Sequence, residues 1–176
     1  MADIDQALSL IRAIPDYPSQ GILFQDITPL LADAPALQTT IGALSRFDTG
    51  ANIVAGIEAR GFILGSAVAL HNQLGFVPVR KKGKLPYTTI SRAYGLEYGT
   101  DVIEIHTDSL NQSHRVLVVD DVLATGGTLE AALHLIQSTG AHISSVVVLL
   151  EIAALSGRER IAQSFPDLAI HALVTS

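Results

Sequence analysis

The 176-residue chain carries a formal net charge of −6 with a pI near 5.4, is 48% hydrophobic and contains no cysteine. That composition fits one globular domain over residues 1–176 and argues against polyanions as partners, so neither nucleic acid nor a membrane surface is expected. It excludes thiol catalysis, disulfides and thiolate zinc sites. No apolar run reaches the roughly 18–20 residues a membrane span requires, and the acidic start Met1-Ala2-Asp3-Ile4-Asp5 is unlike a signal peptide, so a cytoplasmic location is expected.

Ile4, Leu8 and Ile11 recur at helical spacing, which predicts a helix over 4–14, stopped by Pro15 and Pro18. Gly21 to Ile27 reads as a short extended segment ending near Pro29. Asp33 ahead of Pro35 marks a helix start, and Leu37, Ile41 and Leu44 give that helix one apolar face down to about Arg46. Beyond it, 53–57 reads as a buried strand, 61–72 as a helix and 76–79 as a second strand. Residues 83–100 are rich in glycine, threonine, serine and tyrosine without a clear period, which predicts a mobile connection bracketed by short strands. Val102 to His106 alternates as a half-exposed strand; 116–119 is wholly apolar, 128–138 helical and closed by Gly140, and 143–150 a further buried strand. Strands without polar alternation, separated by helices, predict an α/β fold with a mostly parallel central sheet flanked by helices. Ligands of such sheets bind outside the carboxyl ends of the strands, which directs attention to 58–61 and 120–128.

The most informative segment is Val116 to Thr128, V-L-V-V-D-D-V-L-A-T-G-G-T. An apolar strand leads into two carboxylates, a small-residue turn and a helix. Ala124, Thr125, Gly126, Gly127 and Thr128 form a turn whose backbone N–H groups converge on one point. Glycine tolerates the positive φ this needs, and the helix that follows adds its positive dipole end, so the turn suits a terminal phosphate. Asp120 and Asp121 stand where they can accept hydrogen bonds from sugar hydroxyls about one ribose from that phosphate. A magnesium site on the two carboxylates and an ordinary strand-to-helix turn are the rival readings; adjacent carboxylates alone rarely build a magnesium site. Neither a Walker-type G-x-x-x-x-G-K-[ST] nor a dinucleotide fingerprint occurs. The segment resembles the signature with which type I phosphoribosyltransferases bind 5-phosphoribosyl-1-pyrophosphate (PRPP).

Four further blocks resemble the adenine phosphoribosyltransferase family, so that the likeness spans nearly the whole chain. Tyr17 to Leu31 is similar to the family's hood over the base, in which the aromatic at Phe24 stacks on adenine and Leu23, Gln25 and Ile27 complete the adenine-binding segment; a plain core aromatic is the alternative reading of Phe24. Gly56 to Phe62 is similar to the pyrophosphate loop, with Glu58, Ala59 and Arg60 against the anion and Arg60 also near the base. A guanidinium can grip two phosphate oxygens at once, and a Glu58–Arg60 surface pair is the alternative. Arg80-Lys81-Lys82-Gly83-Lys84 reads by composition as a solvated loop, whereas the resemblance implies that Arg80 and Lys84 contact pyrophosphate, in part across a dimer interface. Tyr94 to Gly99 is similar to the flexible catalytic loop, in which Glu97 lies near the purine N7 proton and Tyr98 belongs to the lid.

The resemblance implies the type I phosphoribosyltransferase fold with a small hood at about 15–31, a core over about 32–176 and a flexible loop over about 83–100. It implies purine salvage: the phosphoribosyl group of PRPP passes to adenine, giving AMP and pyrophosphate. Mg2+ is the implied cofactor, held mainly by PRPP with no direct protein ligand, and a homodimer the implied assembly. The chain departs from the family at Gln25, where arginine is usual, and at Ser156, where lysine is frequent; Gln25 bears on the base pocket. The competing readings are transfer to another purine (xanthine, hypoxanthine or guanine) and a PRPP-sensing regulator without catalysis. The six histidines stand at no metal-ligand spacing and read as surface or core residues.

Overall fold

In the computed structural model, which describes residues 3–48, 50–96 and 99–176, the chain divides into two units, Met1–Arg46 and Phe47–Ser176. The smaller unit opens with α1 (Ile4–Leu8), which stops well short of the predicted end near Pro15. Arg12–Pro15 is instead a strand, β1, paired antiparallel with β2 (Leu23–Asp26) in the register Arg12↔Asp26 to Pro15↔Leu23. The helical spacing of three apolar residues loses here to the extended preference of residues preceding proline and to a strand partner ten residues on. Arg12 closes the hairpin by pairing with Asp26 at 2.6 Å. After α2 (Thr28–Ala32), helix α3 (Ala34–Ser45) starts where predicted: the Asp33 carboxylate caps it by accepting the Ala36 N–H at 2.8 Å. Ala36, Thr40, Ile41 and Leu44 form its buried face, and α1 packs against it.

The larger unit is built on a seven-stranded sheet in the order β5-β6-β4-β3-β7-β8-β9. Its strands are β3 (Ile53–Ile57), β4 (Gly75–Lys81), β5 (Thr89–Leu96), β6 (Gly99–His106), β7 (Arg115–Leu123), β8 (His142–Glu151) and β9 (Ile170–Thr175). β4, β3, β7, β8 and β9 run parallel, and the β5–β6 hairpin adds antiparallel to the β4 edge. Helices α4 (Arg60–His71), α5 (Gly127–Gln137) and α6 (Gly157–Ser164) complete the unit. Alternate side chains of the central strands serve two different faces. Ala55, Val77, Val118 and Val146 join the apolar side of α5 in the main core, while α4 lies on the opposite face against Gly56, Phe76 and Val119. The expected mostly parallel sheet flanked by helices is the observed architecture.

Two features differ from expectation. Thr89–Leu96 is a full strand rather than a loose connection, in register with β6 from Thr89↔His106 to Leu96↔Gly99. It is an edge strand with Ser91, Arg92 and Ala93 exposed, so burial imposed no apolar alternation that the sequence could display. On β6, Glu104 does not face solvent as alternation predicts; it is 4% exposed and fully engaged by hydrogen bonds.

Candidate active site

Strand order places a site before any side chain is considered. β3 connects to β4 on one side, while β7, β8 and β9 are laid down on the other, so the direction of winding reverses between β3 and β7. Crevices at such reversals, outside the carboxyl ends of the strands, are where open α/β sheets bind ligands. A cavity of about 310 Å³ opens there, lined by Glu58, Ala59 and Arg60 after β3, by Asp120 to Leu123 at the end of β7 and by Ala124 to Leu129 beyond it. Every residue assigned by sequence to the phosphate turn is on its wall, as are three of the five assigned to pyrophosphate. Close glycine packing lets the two walls meet: a Cβ on Gly56 would come within 2.7 Å of the Gly61 carbonyl oxygen, and one on Gly61 within 2.8 Å of Asp120 Oδ1. Helix α4 thereby rests directly on the sheet with Arg60 in its first turn.

The phosphate turn is made by the backbone. Gly126 adopts φ +79°, a left-handed conformation costly for any residue with a Cβ, and α5 begins at the next residue. No side chain caps this helix, so its first N–H groups are left for another acceptor, and an anion in the cavity is the natural one. The turn is backed by Gly157: a Cβ on Gly126 would meet the Gly157 carbonyl oxygen at 2.7 Å, and one on Gly157 would collide with the Ala124 carbonyl oxygen. Gly157 was not among the residues singled out by sequence, because nothing local marks a glycine that only supports a distant loop.

Charge is distributed unevenly around the cavity. Arg60 pairs with Asp121, Nη2 to Oδ2 at 2.8 Å, and not with Glu58. Burial, and then the adjacent Asp121 charge, push the Asp120 carboxyl well above the usual carboxylate range; burial also raises Asp121, against the opposing pull of Arg60. Glu58 goes the other way. Its burial is outweighed by hydrogen bonds from the Lys81 N–H at 2.9 Å, from Arg80 and from Lys84, which together hold it below its ordinary value. Arg80 Nε lies 3.2 Å from Glu58 Oε2 and Lys84 Nζ 3.4 Å from Oε1, so two cations of the basic patch are gathered at the rim by one carboxylate while Lys82 stays exposed.

Lys81 and Tyr94 also line the cavity and were passed over in the sequence, although both stand inside blocks it highlighted. Asp101 joins them, accepting from Lys81 Nζ and, at 3.2 Å, from the Tyr94 hydroxyl, which ties β4, β5 and β6 together. Glu97 and Tyr98 lie outside the described residues. Leu23, Phe24, Gln25 and Ile27 belong to the smaller unit: Leu23 is exposed, Phe24 and Gln25 are half-buried and Ile27 is buried, with the Tyr17 ring edge-on to Phe24 at 5.2 Å. Among the described residues no group of three or more histidine or acidic side chains is arranged to hold a metal ion, and no helix is long and apolar enough to cross a membrane.

A cavity at the winding reversal, with a glycine-made turn following paired aspartates, is suited to a phosphorylated sugar, and the phosphoribosyl transferase domain family matches residues 34–167. The chain belongs to that family. Its relatives narrow the class, because they also span the N-terminal residues the family match leaves out. The adenine phosphoribosyltransferase of Streptomyces coelicolor is 53% identical over 170 residues, covering 96% of this chain and 93% of its own. The crystal structure of adenine phosphoribosyltransferase from Thermoanaerobacter pseudethanolicus superposes with a TM-score of 0.93 at 43% identity, over 99% of this chain and 100% of the other. The Giardia lamblia enzyme complexed with 9-deazaadenine superposes equally well, TM-score 0.93 at 37% identity, over 100% and 99% of the two chains.

Proposed function

We propose that this chain catalyses the adenine phosphoribosyltransferase reaction of purine salvage, joining adenine to PRPP to give AMP and pyrophosphate, and that residues 1–176 act as one phosphoribosyltransferase domain. The observation that carries the reading is the uncapped, glycine-made turn at Ala124 to Thr128, two residues beyond the half-buried Asp120 and the buried Asp121. In this reading the turn's N–H groups and the hydroxyls of Thr125 and Thr128 hold the 5′-phosphate. Asp120 and Asp121 accept the ribose hydroxyls. Glu58, Ala59, Arg60, Arg80 and Lys84 form the pyrophosphate end, with guanidinium and ammonium groups matched to phosphate oxygens.

The reaction breaks the bond from the ribose anomeric carbon to pyrophosphate, which leaves with the electron pair, and forms the bond to adenine N9. Positive charge builds on the ribose ring between these events, as in glycoside cleavage, so nearby carboxylates and cations on the leaving group lower the barrier together. Glu97, by resemblance, takes the purine N7 proton as N9 attacks, and Tyr98 belongs to the lid that keeps water out. Leu23, Phe24, Gln25 and Ile27 are the adenine-reading segment in the same reading, which also makes the enzyme a cytosolic homodimer. The carboxylates on the cavity wall suit a cation that arrives on its substrate: Asp121 is engaged by Arg60 and Glu58 by Arg80 and Lys84, and Mg2+ prefers to keep water and phosphate oxygens as ligands. Bound through PRPP, it would neutralise the departing pyrophosphate.

Purified protein mixed with PRPP, Mg2+ and each purine in turn should release pyrophosphate with adenine alone. Release with another purine instead would move the chain to a sister specificity, and release with none would make it a non-catalytic PRPP binder.

A further inference from the structure

Outside the cavity, one buried carboxylate has no part in the chemistry above. Glu104 sits mid-strand on β6, opposite Arg80 of β4 and Ser91 of β5. Its Oε1 accepts the backbone N–H groups of Gly83, Lys84 and Leu85 at 3.0, 3.2 and 3.2 Å, and its Oε2 accepts the Thr89 hydroxyl at 3.3 Å. Burying a carboxylate is costly unless it is saturated by donors, and here four donors converge on it.

Three successive N–H groups aimed at one oxygen are a nest of the kind that captures phosphate. Glu104 fills that nest from within the sheet, so the turn offers the cavity its cationic side chains and not its backbone. The turn so fixed, with Gly83 at φ +81°, also holds the cations: the Arg80 Nη1 donates to the Lys84 carbonyl at 3.0 Å, and Lys84 Nζ reaches Glu58. We propose that Glu104 is a positioning residue for the leaving group: by clamping the backbone of residues 83–85 it sets where Arg80 and Lys84 meet pyrophosphate. This rests on the reading that those two cations bind pyrophosphate.

The test compares Glu104→Gln, Lys84→Ala and the double variant in forward and reverse reactions. Glu104→Gln should raise KM for PRPP and for pyrophosphate about tenfold, the loss expected for charge-assisted hydrogen bonds, with kcat changed less than about threefold and KM for adenine unmoved. In the double variant the two losses should combine less than multiplicatively, because part of the Glu104 effect is exerted through Lys84 itself. Losses that multiply fully, an unchanged KM for PRPP, or an equal rise for adenine would overturn the proposal. If Lys84→Ala raises the pyrophosphate KM while Glu104→Gln does not, the role of Glu104 falls and the pyrophosphate reading stands. If Lys84→Ala also leaves it unmoved, both fall. Should Glu104→Gln fail to fold, Thr89→Val removes only the Oε2 contact; a KM rise of about threefold supports the proposal and no rise overturns it.

Discussion

The turns that follow β7 and β4 are both assigned to bind anions, and they do so by opposite means. After β7, residues 124–128 present main-chain N–H groups, and their shape depends on Gly126 in a left-handed conformation and on Gly157 pressed against it. At the end of β4 and just beyond it, residues 80–84 present cationic side chains, held by Glu58 on one side and by Glu104 beneath. A backbone site needs a particular local conformation and so writes itself into the sequence as a motif. A side-chain site needs partners from other strands, and a run of lysines says nothing about whether they exist.

The largest effect that would sharpen this contrast is at the carboxylates shared by the β7 turn. Replacing Asp120 and Asp121 together by asparagine should lower kcat/KM for PRPP by at least about a hundredfold in a steady-state AMP assay, as the loss of preorganised charge at a reacting ring does elsewhere. Gly126→Ala comes next. It should cost about 1–2 kcal/mol of stability through its φ and its contact with Gly157, read as a lowered thermal midpoint, together with a PRPP KM raised about tenfold. Lys84→Ala should be milder, raising KM for pyrophosphate by about three- to tenfold while leaving the thermal midpoint unmoved, because a half-exposed ammonium contributes little to folding. If Gly126→Ala instead behaved like Lys84→Ala, the distinction between backbone-built and side-chain-built sites would fail.

The smallest effect concerns pH. The Asp120 carboxyl is pushed well above its ordinary value of 3.8 in the folded protein by burial and the Asp121 charge. Above that ordinary value the unfolded chain has released a proton that the folded chain still holds, so the native state binds more protons and stability falls as pH rises through the window up to the folded value. Asp120→Asn abolishes that loss. The variant's thermal midpoint should match the wild type near about pH 4 and exceed it at neutral pH, while its activity drops, so that stability and function move in opposite directions.

Much of this was legible without coordinates. The run V-L-V-V-D-D-V-L-A-T-G-G-T announced strand, turn and helix because apolar continuity, glycine and an uncapped helix start are local properties. Asp33 before Pro35 likewise marked a helix whose cap the structure retains. Three things were not legible, each for a reason. Arg12–Pro15 became a strand because its partner lies beyond a turn. Thr89–Leu96 hid as a strand because an edge exposes its side chains and imposes no pattern. Glu104 read as solvent-facing because period-two alternation reports polarity, and a polar residue saturated by buried donors has the same letter as one in water.

By itself, then, the amino-acid sequence determined the order and type of the central elements and the chemistry of the phosphate turn, since both follow from interactions within a dozen residues. Only the tertiary structure decided which charges meet: that Arg60 faces Asp121, that Glu58 gathers Arg80 and Lys84, and that Glu104 and Gly157 support loops far from them in sequence. Electrostatic pairing and close backbone packing depend on distance in space, and the winding of the sheet, which brings β3 beside β7 and β4 beside β6, is what sets those distances.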